Sequence, residues 1–436
     1  MGKMRFIIVG SGWRSLYYVR IAKALPEQFE MCAMLCRSQE KADKMSSENG
    51  IYATTSIEEC KNLKPDFVVV VVNKASIAQV SKEWLNYGFT VLCETPASLE
   101  LDVLQELWEL HNTGKRLVVA EQYTHYPTYK AMLSVLGHNL IGEPDCINIS
   151  LAHEYHGTSL MRAFLRENVA TPFTVKAKTY EFETVETLTR YEKFKDGRTA
   201  LKKRTTATFE FANGKVAWYD FDSEQYRSPI RKNFVKLQGR KGELIDNKIY
   251  FLDDIFEPQQ GEFIVTENFA DTSNTNPNFK KVREIEKITF RRTDMPDSLV
   301  YAAPFGKCGL SEDETAIAQL MQAAAEYTWA CEILDKSGSQ SAVDIKEDEP
   351  KTIIKTDLQT AVSAVKEGNA RLDDIINSGF AANINFTADV VKAIAIKAKK
   401  EVELKNALQD SYMTILMQKA VETGETISSE KQIWQD

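Results

Sequence analysis

Met4-Arg5-Phe6-Ile7-Ile8-Val9-Gly10-Ser11-Gly12-Trp13-Arg14-Ser15-Leu16-Tyr17-Tyr18-Val19-Arg20-Ile21-Ala22-Lys23-Ala24-Leu25 is the stretch on which the fold turns. Arg5–Val9 reads as a strand, and its near-continuous apolar side chains suit a sheet covered on both faces. The run ending at Leu25 reads as the helix that follows. Between them lies a Gly-x-Gly-x-x-Gly pattern with serine in the third place. Gly10 permits a tight turn, Gly12 lets backbone approach a diphosphate, and Ser15 is small enough for close helix–strand packing. The helix start adds unpaired N–H groups and the positive end of its dipole. A glycine turn without a ligand is the bland alternative. The position between the first strand and first helix of an alternating run favours phosphate.

That alternation continues outward. Strands are predicted at Glu30–Leu35, Phe67–Val72, Thr90–Cys93 and Leu117–Ala120, with helices such as Ala75–Tyr87 and Leu101–Thr113 between them. Repeated βα units imply a doubly wound parallel sheet. After about Gly142 the pattern changes. Cys146–Tyr155 alternates, with Ile147, Ile149, Leu151, His153 and Tyr155 on one face, and reads as a half-buried strand. Thr205–Phe211 and Val216–Phe221 flank Asn213-Gly214, a hairpin turn. More strands are expected up to about Arg291, giving an open, mostly antiparallel sheet. Ser311-Glu312-Asp313-Glu314 is a capping box for a helix through Ala330. Lys336–Lys355 reads as a linker, helices resume near Asp357, and Thr387 opens a long one ending near Gly424. The expected class is α/β: a Rossmann domain over residues 1–122 and an α+β domain over 123–335 and 403–436. Residues 336–402 are expected to be a helical insertion.

Bulk properties narrow the function. The chain has 436 residues, 43% apolar, 27% charged, with net charge −8. A net negative chain without long basic runs does not fit broad nucleic-acid binding. Lys202-Lys203-Arg204 reads as a solvated loop. The seven cysteines are odd in number and none are spaced as Cys-x-x-Cys, so neither a disulfide framework nor a thiolate zinc site is expected. No run is long and apolar enough to span a bilayer, no secretory leader is read at the N-terminus, and Phe6 spoils a myristoylation start. A reducing, cytoplasmic setting is the expectation, with no membrane partner.

The second strand ends Leu35-Cys36-Arg37-Ser38, where a ribose-binding acid is expected. Cys36 stands in that place. Absence of the carboxylate removes repulsion against a 2′-phosphate, and Arg37 with Ser38 can meet one. The cofactor expected is NADP or NAD, with NADP favoured; Arg37 as a mere surface charge is the alternative.

With Cys93-Glu94-Thr95-Pro96, these motifs resemble the glucose–fructose oxidoreductase / inositol dehydrogenase / MocA (Gfo/Idh/MocA) family over Met4 to about Ala330, resuming at Leu404–Trp434. The likeness is nearest to a branch marked by Gly12-Trp13-Arg14, Glu94-Thr95-Pro96, His153-x-x-His156-Gly157 and a terminal Leu404-x-x-Ala407-x-Gln409-Asp410-x-Tyr412 helix. The resemblance implies a homo-oligomeric oxidoreductase acting on a sugar, cyclitol or similar hydroxyl or ketone. It also implies that Asn73 and Glu94 line the nicotinamide pocket; Trp13, Arg14, Thr95, Pro96 and Gln122 join Gly10 and Gly12 as expected cofactor-binding residues. Two departures matter. The family's Glu-Lys-Pro lysine is Thr95 here, and Ser159 stands where an Asp follows the family His, matched by His156. Threonine is no general base near neutral pH. A non-catalytic dinucleotide-binding sensor or assembly subunit is therefore the alternative reading.

All five histidines lie between His111 and His156. His156 is the first candidate for proton transfer, because imidazole titrates near neutrality; a capping role is the alternative. His153 shares the apolar face, so burial is its simpler account, and as a metal pair His153-x-x-His156 lacks further ligands. Tyr123 and His125, in Gln122–Pro127 after the last parallel strand, are candidates to stand in for the lysine. Interdomain packing is the alternative for both. Arg162 is expected to pair on its helix surface rather than bind substrate.

Overall fold

The computed structural model describes residues 3–24, 26, 29–187, 194–226, 230–270, 282–302 and 387–436. The helix expected over Ser311–Ala330, the linker over Lys336–Lys355 and the helices resuming near Asp357 lie outside them.

The first sheet is built from β1 (Met4–Val9), β2 (Phe29–Leu35), β3 (Ala53–Thr54), β4 (Phe67–Val70), β5 (Thr90–Cys93) and β6 (Leu117–Val119). The helices between them are α1 (Ser15–Ala24), α2 (Gln39–Asn49), α3 (Ile57–Asn62), α4 (Ile77–Asn86) and α5 (Leu101–Asn112). The strand order is β3-β2-β1-β4-β5-β6, and every pair is parallel. Along β1, Ile7 and Val9 enter one hydrophobic core while Phe6 and Ile8 enter another. Helices cover both faces, which is why the strand is apolar throughout. The order reverses at β1 and β4, and the loops that diverge there open a crevice at the carboxyl ends of the strands. β3 has two residues, too few to leave a period in the sequence.

A 3-10 turn (Tyr123–His125) and α6 (Pro127–Gly137) lead into the second sheet. Its strands are β7 (Pro144–Ser150), β8 (Phe173–Val185), β9 (Thr199–Phe211), β10 (Val216–Asp222), β11 (Phe234–Gly239), β12 (Gly242–Ile245), β13 (Lys248–Leu252), β14 (Pro258–Ala270), β15 (Val282–Arg292), β16 (Ser298–Ala302) and β17 (Ile427–Ser428). The order is β16-β15-β14-β13-β12-β11-β7-β10-β9-β8-β17. Among the described residues every pair is antiparallel except β7–β10. Gly214, at φ +88°, turns β9 into β10 as Asn213-Gly214 predicts. Lys202–Arg204 is not a solvated loop. It lies within β9, where Lys202 reaches Glu186 (2.6 Å) and Glu224 (3.1 Å) and Arg204 pairs with Asp220.

The alternation over Cys146–Tyr155 overstates the strand. β7 stops at Ser150, and α7 (Glu154–Leu165) begins four residues later. Side chains replace the ladder there. Gln225 Nε2 donates to the Ser150 carbonyl (3.1 Å), and the Tyr226 and Tyr219 hydroxyls accept the N–H groups of His153 (3.0 Å) and Glu154 (2.8 Å). Glu154, at φ +39°, makes the bend. A Cβ at Gly157 would lie 2.4 Å from the Tyr219 ring, so the first turn of α7 needs glycine to sit that close.

Every residue of α7 from Tyr155 to Leu165 is buried. One side meets β7; the other meets α8 (Thr387–Thr423). Leu404, Leu408, Met413, Met417 and Ala420 of α8 join the same core as Ile147, Leu160 and Phe164. Arg162 is the polar bolt in that packing. Its Nε and Nη2 donate to the two oxygens of Asp410 (2.7 and 3.2 Å), and Nη1 donates to Asn406 (2.9 Å). Arg162 thus pairs as expected, but inside the protein rather than on a helix surface.

Candidate active site

The loop between β1 and α1 is shaped by its two glycines in opposite ways. At Gly10, φ is +116° and a Cβ would meet the Val71 carbonyl oxygen at 2.0 Å. Backbone from the neighbouring strand end fills that side. At Gly12 a Cβ would meet nothing within 4 Å, so the space over the backbone is open, as a diphosphate requires. α1 starts three residues on, where the Ser15, Leu16 and Tyr17 N–H groups donate to the Gly12, Trp13 and Arg14 carbonyls (3.1, 3.3 and 3.1 Å). Ser15 is fully buried and its hydroxyl has no hydrogen-bond partner. It occupies a packing position.

Arg14 is not a surface cation. Its Nε donates to Glu94 Oε1 (2.8 Å), another guanidinium N–H donates to Gln122 Oε1, and its carbon lies 4.8 Å from the Tyr17 ring centre. The Tyr18 hydroxyl donates to the same Glu94 oxygen (2.6 Å). Burial works against the Arg14 charge, but Glu94 and Tyr18 outweigh it and the pKa is raised. Arg14, Glu94 and Gln122 therefore form one buried cluster linking the glycine loop to the ends of β5 and β6. Trp13 remains 48% exposed at the loop tip.

At the end of β2, Cys36 is buried and bonds Ser11, while burial raises its thiol pKa. Arg37 is exposed, and Ser38 caps α2 by accepting from the Lys41 N–H (3.3 Å). The field of Lys41 reaches the Cys36 thiol, a second cation at this corner that the sequence reading missed. Asn73, after β4, caps the start of α4 through the Ser76 N–H (3.0 Å). Pro96 follows Thr95 through a cis bond. These residues fit a dinucleotide: an open glycine turn for the diphosphate, a corner with Arg37 and Lys41 and with Cys36 in place of the strand-end carboxylate for the adenosine ribose, and a polar wall for the nicotinamide.

That wall holds the proton-transfer candidates. His156, in the first turn of α7, is buried. Its Nδ1 lies 2.8 Å from Glu121 Oε2 and its Nε2 lies 3.3 Å from Thr95 Oγ1. Glu121 Oε1 accepts the Tyr123 N–H (2.7 Å), and the Tyr123 ring centre stands 4.6 Å from that of His156. Burial pushes the Glu121 carboxyl up to about 8 and the His156 imidazole down to about 3. His153 is the N-cap residue of α7, half-buried, with its ring centre 5.2 Å from that of His156. The Tyr226 oxygen accepts the His153 backbone N–H and also contacts His153 Nδ1. A neutral imidazole has one N–H. Burial lowers the His153 pKa to about 3, keeping it neutral. His125 ends the 3-10 turn, half-buried. Lys74, beyond β4, pairs with Glu154 across the crevice (3.2 Å).

Besides Lys41, neither Glu121 nor Asp410 was assigned a site role from the sequence. Glu121 lies two residues beyond the apolar strand Leu117–Val119, and an acid at the end of a buried strand was the available hint. Asp410 bonds the Ser159 hydroxyl as well as Arg162. A carboxylate thus returns beside Ser159 from a helix some 250 positions away, and nothing in local sequence announces it.

Residues 4–123 match the oxidoreductase family with an NAD-binding Rossmann fold. That match, to the Gfo/Idh/MocA family model, spans the N-terminal domain. Solved structures share the fold over the whole chain. An oxidoreductase from Agrobacterium radiobacter, in complex with NAD+, L-tartaric acid and magnesium, is 11% identical over 98% of this chain and 98% of its own, with a TM-score of 0.52. GenD2 from gentamicin A biosynthesis, in complex with NAD, is 13% identical over 99% and 97%, with a TM-score of 0.51. A myo-inositol dehydrogenase from Corynebacterium glutamicum is 12% identical over 99% and 100%, with a TM-score of 0.50. No curated protein sequence matches the chain. Against the Gfo/Idh/MocA pattern, the lysine of Glu-Lys-Pro is replaced here by a threonine that touches His156. Among the described residues no helix is long and apolar enough to cross a membrane, and no group of three metal-ligating side chains converges.

Proposed function

We propose that the chain is an NAD(P)-dependent oxidoreductase acting on a sugar, cyclitol or similar hydroxyl or its ketone, with His156 moving the proton. One observation carries this: His156 sits between Thr95, at the carboxyl end of β5, and the buried Glu121, beside the crevice where doubly wound folds bind their ligands. When bound, the dinucleotide supplies the redox chemistry by taking or giving a hydride. Gly10, Gly12 and the start of α1 hold its diphosphate. Arg37, Ser38 and Lys41 hold the adenosine ribose and favour the 2′-phosphate of NADP. Asn73, Thr95, Pro96 and Gln122 border the nicotinamide.

Glu121 fixes the His156 ring, and the surrounding walls keep water from the proton it carries. His153, its ring 5.2 Å from that of His156, is placed to hydrogen-bond a substrate oxygen near the one His156 serves. Tyr123 packs on His156 and supports its orientation. The same reading includes a homo-oligomer, because Tyr180, Phe182, Trp218 and Tyr250 lie exposed on one face of the second sheet.

A sensor without turnover is the competing reading, favoured by the loss of the family lysine at Thr95. The test is incubation with NADP+ or NAD+ and a panel of sugars and cyclitols, following absorbance of the reduced nicotinamide. Turnover on a polyol, faster with NADP+, is the expected result. Tight cofactor binding with no turnover on any substrate, in either direction, would establish the sensor instead.

A further inference from the structure

We propose that Thr95, His156 and Glu121 form a three-group proton relay in which the Thr95 hydroxyl meets the substrate oxygen and Glu121 holds the proton at the inner end. The proposal rests on the oxidoreductase reading and explains how a threonine can stand where the family has lysine. A threonine hydroxyl alone is too weak an acid and base to serve. Bonded to an imidazole that is itself bonded to a carboxyl, it needs only to pass a proton along.

The geometry permits two arrangements. His156 Nδ1 and Nε2 each have one partner, Glu121 at 2.8 Å and Thr95 at 3.3 Å. A neutral imidazole offers one donor and one acceptor. With Glu121 ionised, Nδ1–H donates to Oε2, Nε2 accepts the Thr95 O–H, and the Thr95 oxygen accepts from a substrate hydroxyl. With Glu121 protonated, Oε2–H donates to Nδ1, Nε2–H donates to Thr95 Oγ1, and the Thr95 O–H donates to a substrate carbonyl. Glu121 Oε1 is held by the Tyr123 N–H in either case, so the carboxyl stays in place. Thr95 is half-buried, while His156 and Glu121 are shut in. The threonine is the only one of the three open to a ligand.

In oxidation the substrate O–H breaks and its proton joins Oγ1. The Oγ1 proton moves to Nε2, and the Nδ1 proton moves to Oε2. The C–H electron pair leaves as hydride to the oxidised nicotinamide dinucleotide. Substrate loses one proton and one hydride; the relay gains the proton. Reduction runs the same steps backwards.

Charged and titratable groups face this relay from the neighbouring elements: Glu94 just after β5, Arg14 just before α1, Lys74 beyond β4, His153 and Glu154 at the start of α7, and Asp410 of α8, itself paired with Arg162. Arg14 is paired with Glu94 and Lys74 with Glu154, so burial dominates. It holds the resting proton on Glu121 until about pH 8. Oxidation needs the relay empty, so its kcat should rise through about pH 8. Reduction needs it loaded, so its kcat should fall over the same range.

The experiment compares wild type with Thr95→Val, Thr95→Ser and Glu121→Gln. Valine keeps the shape of threonine, and is expected to lower kcat ~10²-fold with KM little changed; serine should recover most of that loss. Glu121→Gln should remove the inflection near pH 8. Independently of turnover, the 15N resonances of His156 in cofactor-free protein should show the proton changing ends across that pH in wild type and not in Glu121→Gln. Full activity in Thr95→Val, or His156 resonances that ignore both pH and Glu121, would overturn the relay. If wild type turns over no substrate, the oxidoreductase reading fails, and the resonances alone decide whether the three groups share a proton.

Discussion

Replacing His156 with glutamine is expected to lower kcat ~10²- to 10⁴-fold, the span of a lost general acid–base group, while leaving NADP+ affinity unchanged. Glutamine fills the same space, and its amide can hydrogen-bond Glu121 Oε2 in place of Nδ1. It cannot gain and release a proton near neutral pH. Alanine is the blunter variant. It removes a ring that packs 4.6 Å from Tyr123 and 5.2 Å from His153, and leaves a buried carboxyl without its partner. Steady-state kinetics in both directions, with a fluorescence titration of cofactor, separate chemistry from binding. Loss of kcat at constant cofactor Kd is the expected pattern. A glutamine variant with wild-type kcat would remove His156 from the chemistry.

Arg162→Ala is expected to cost ~3–5 kcal/mol of stability, the range for removing one member of a buried ion pair. The guanidinium holds both oxygens of Asp410, the Asn406 side chain and the Glu167 carbonyl (3.3 Å). Without it, Asp410 is a carboxylate in the core, whose pKa burial already raises. The loss lies between α7 and α8, so it should also loosen the first turn that carries His156. Thermal unfolding and urea titration of the variant check the magnitude. Arg162→Met combined with Asp410→Leu should recover much of the loss, since apolar packing can replace a buried pair. A single variant within 1 kcal/mol of wild type, on the scale of a solvent-exposed pair, would contradict the buried-pair account.

The N-terminal domain was legible because its constraints are local. A buried parallel strand must be apolar, a diphosphate turn must use glycine where backbone crowds backbone, and both signals fall within Met4–Ser15. Gly10, against the Val71 carbonyl, and Gly12, beneath open space, occupy the positions the motif assigns. The site was only half legible. His153 and His156 stood out as histidines, but alternation extended β7 through Tyr155. Period-two patterning cannot register that Tyr219 and Tyr226, some 65 and 73 positions on, take over the backbone N–H groups and start a helix. Glu121 was passed over as a strand-end acid. Its meaning depends on an imidazole 35 residues away. Asp410 was quoted only as part of a terminal helix, and its bond to Arg162 spans 248 residues. Tertiary pairings of this kind leave no spacing in the chain.

Calorimetric titration of NADP+ and NAD+ into the protein, repeated with Gly12→Asp and Arg37→Ala, tests the central claim most directly. Saturable one-to-one binding is expected, tighter for NADP+, abolished by an aspartate set in the open space over Gly12, and stripped of its NADP+ preference by Arg37→Ala. No heat from either dinucleotide at millimolar concentration, or binding that Gly12→Asp leaves intact, would contradict it.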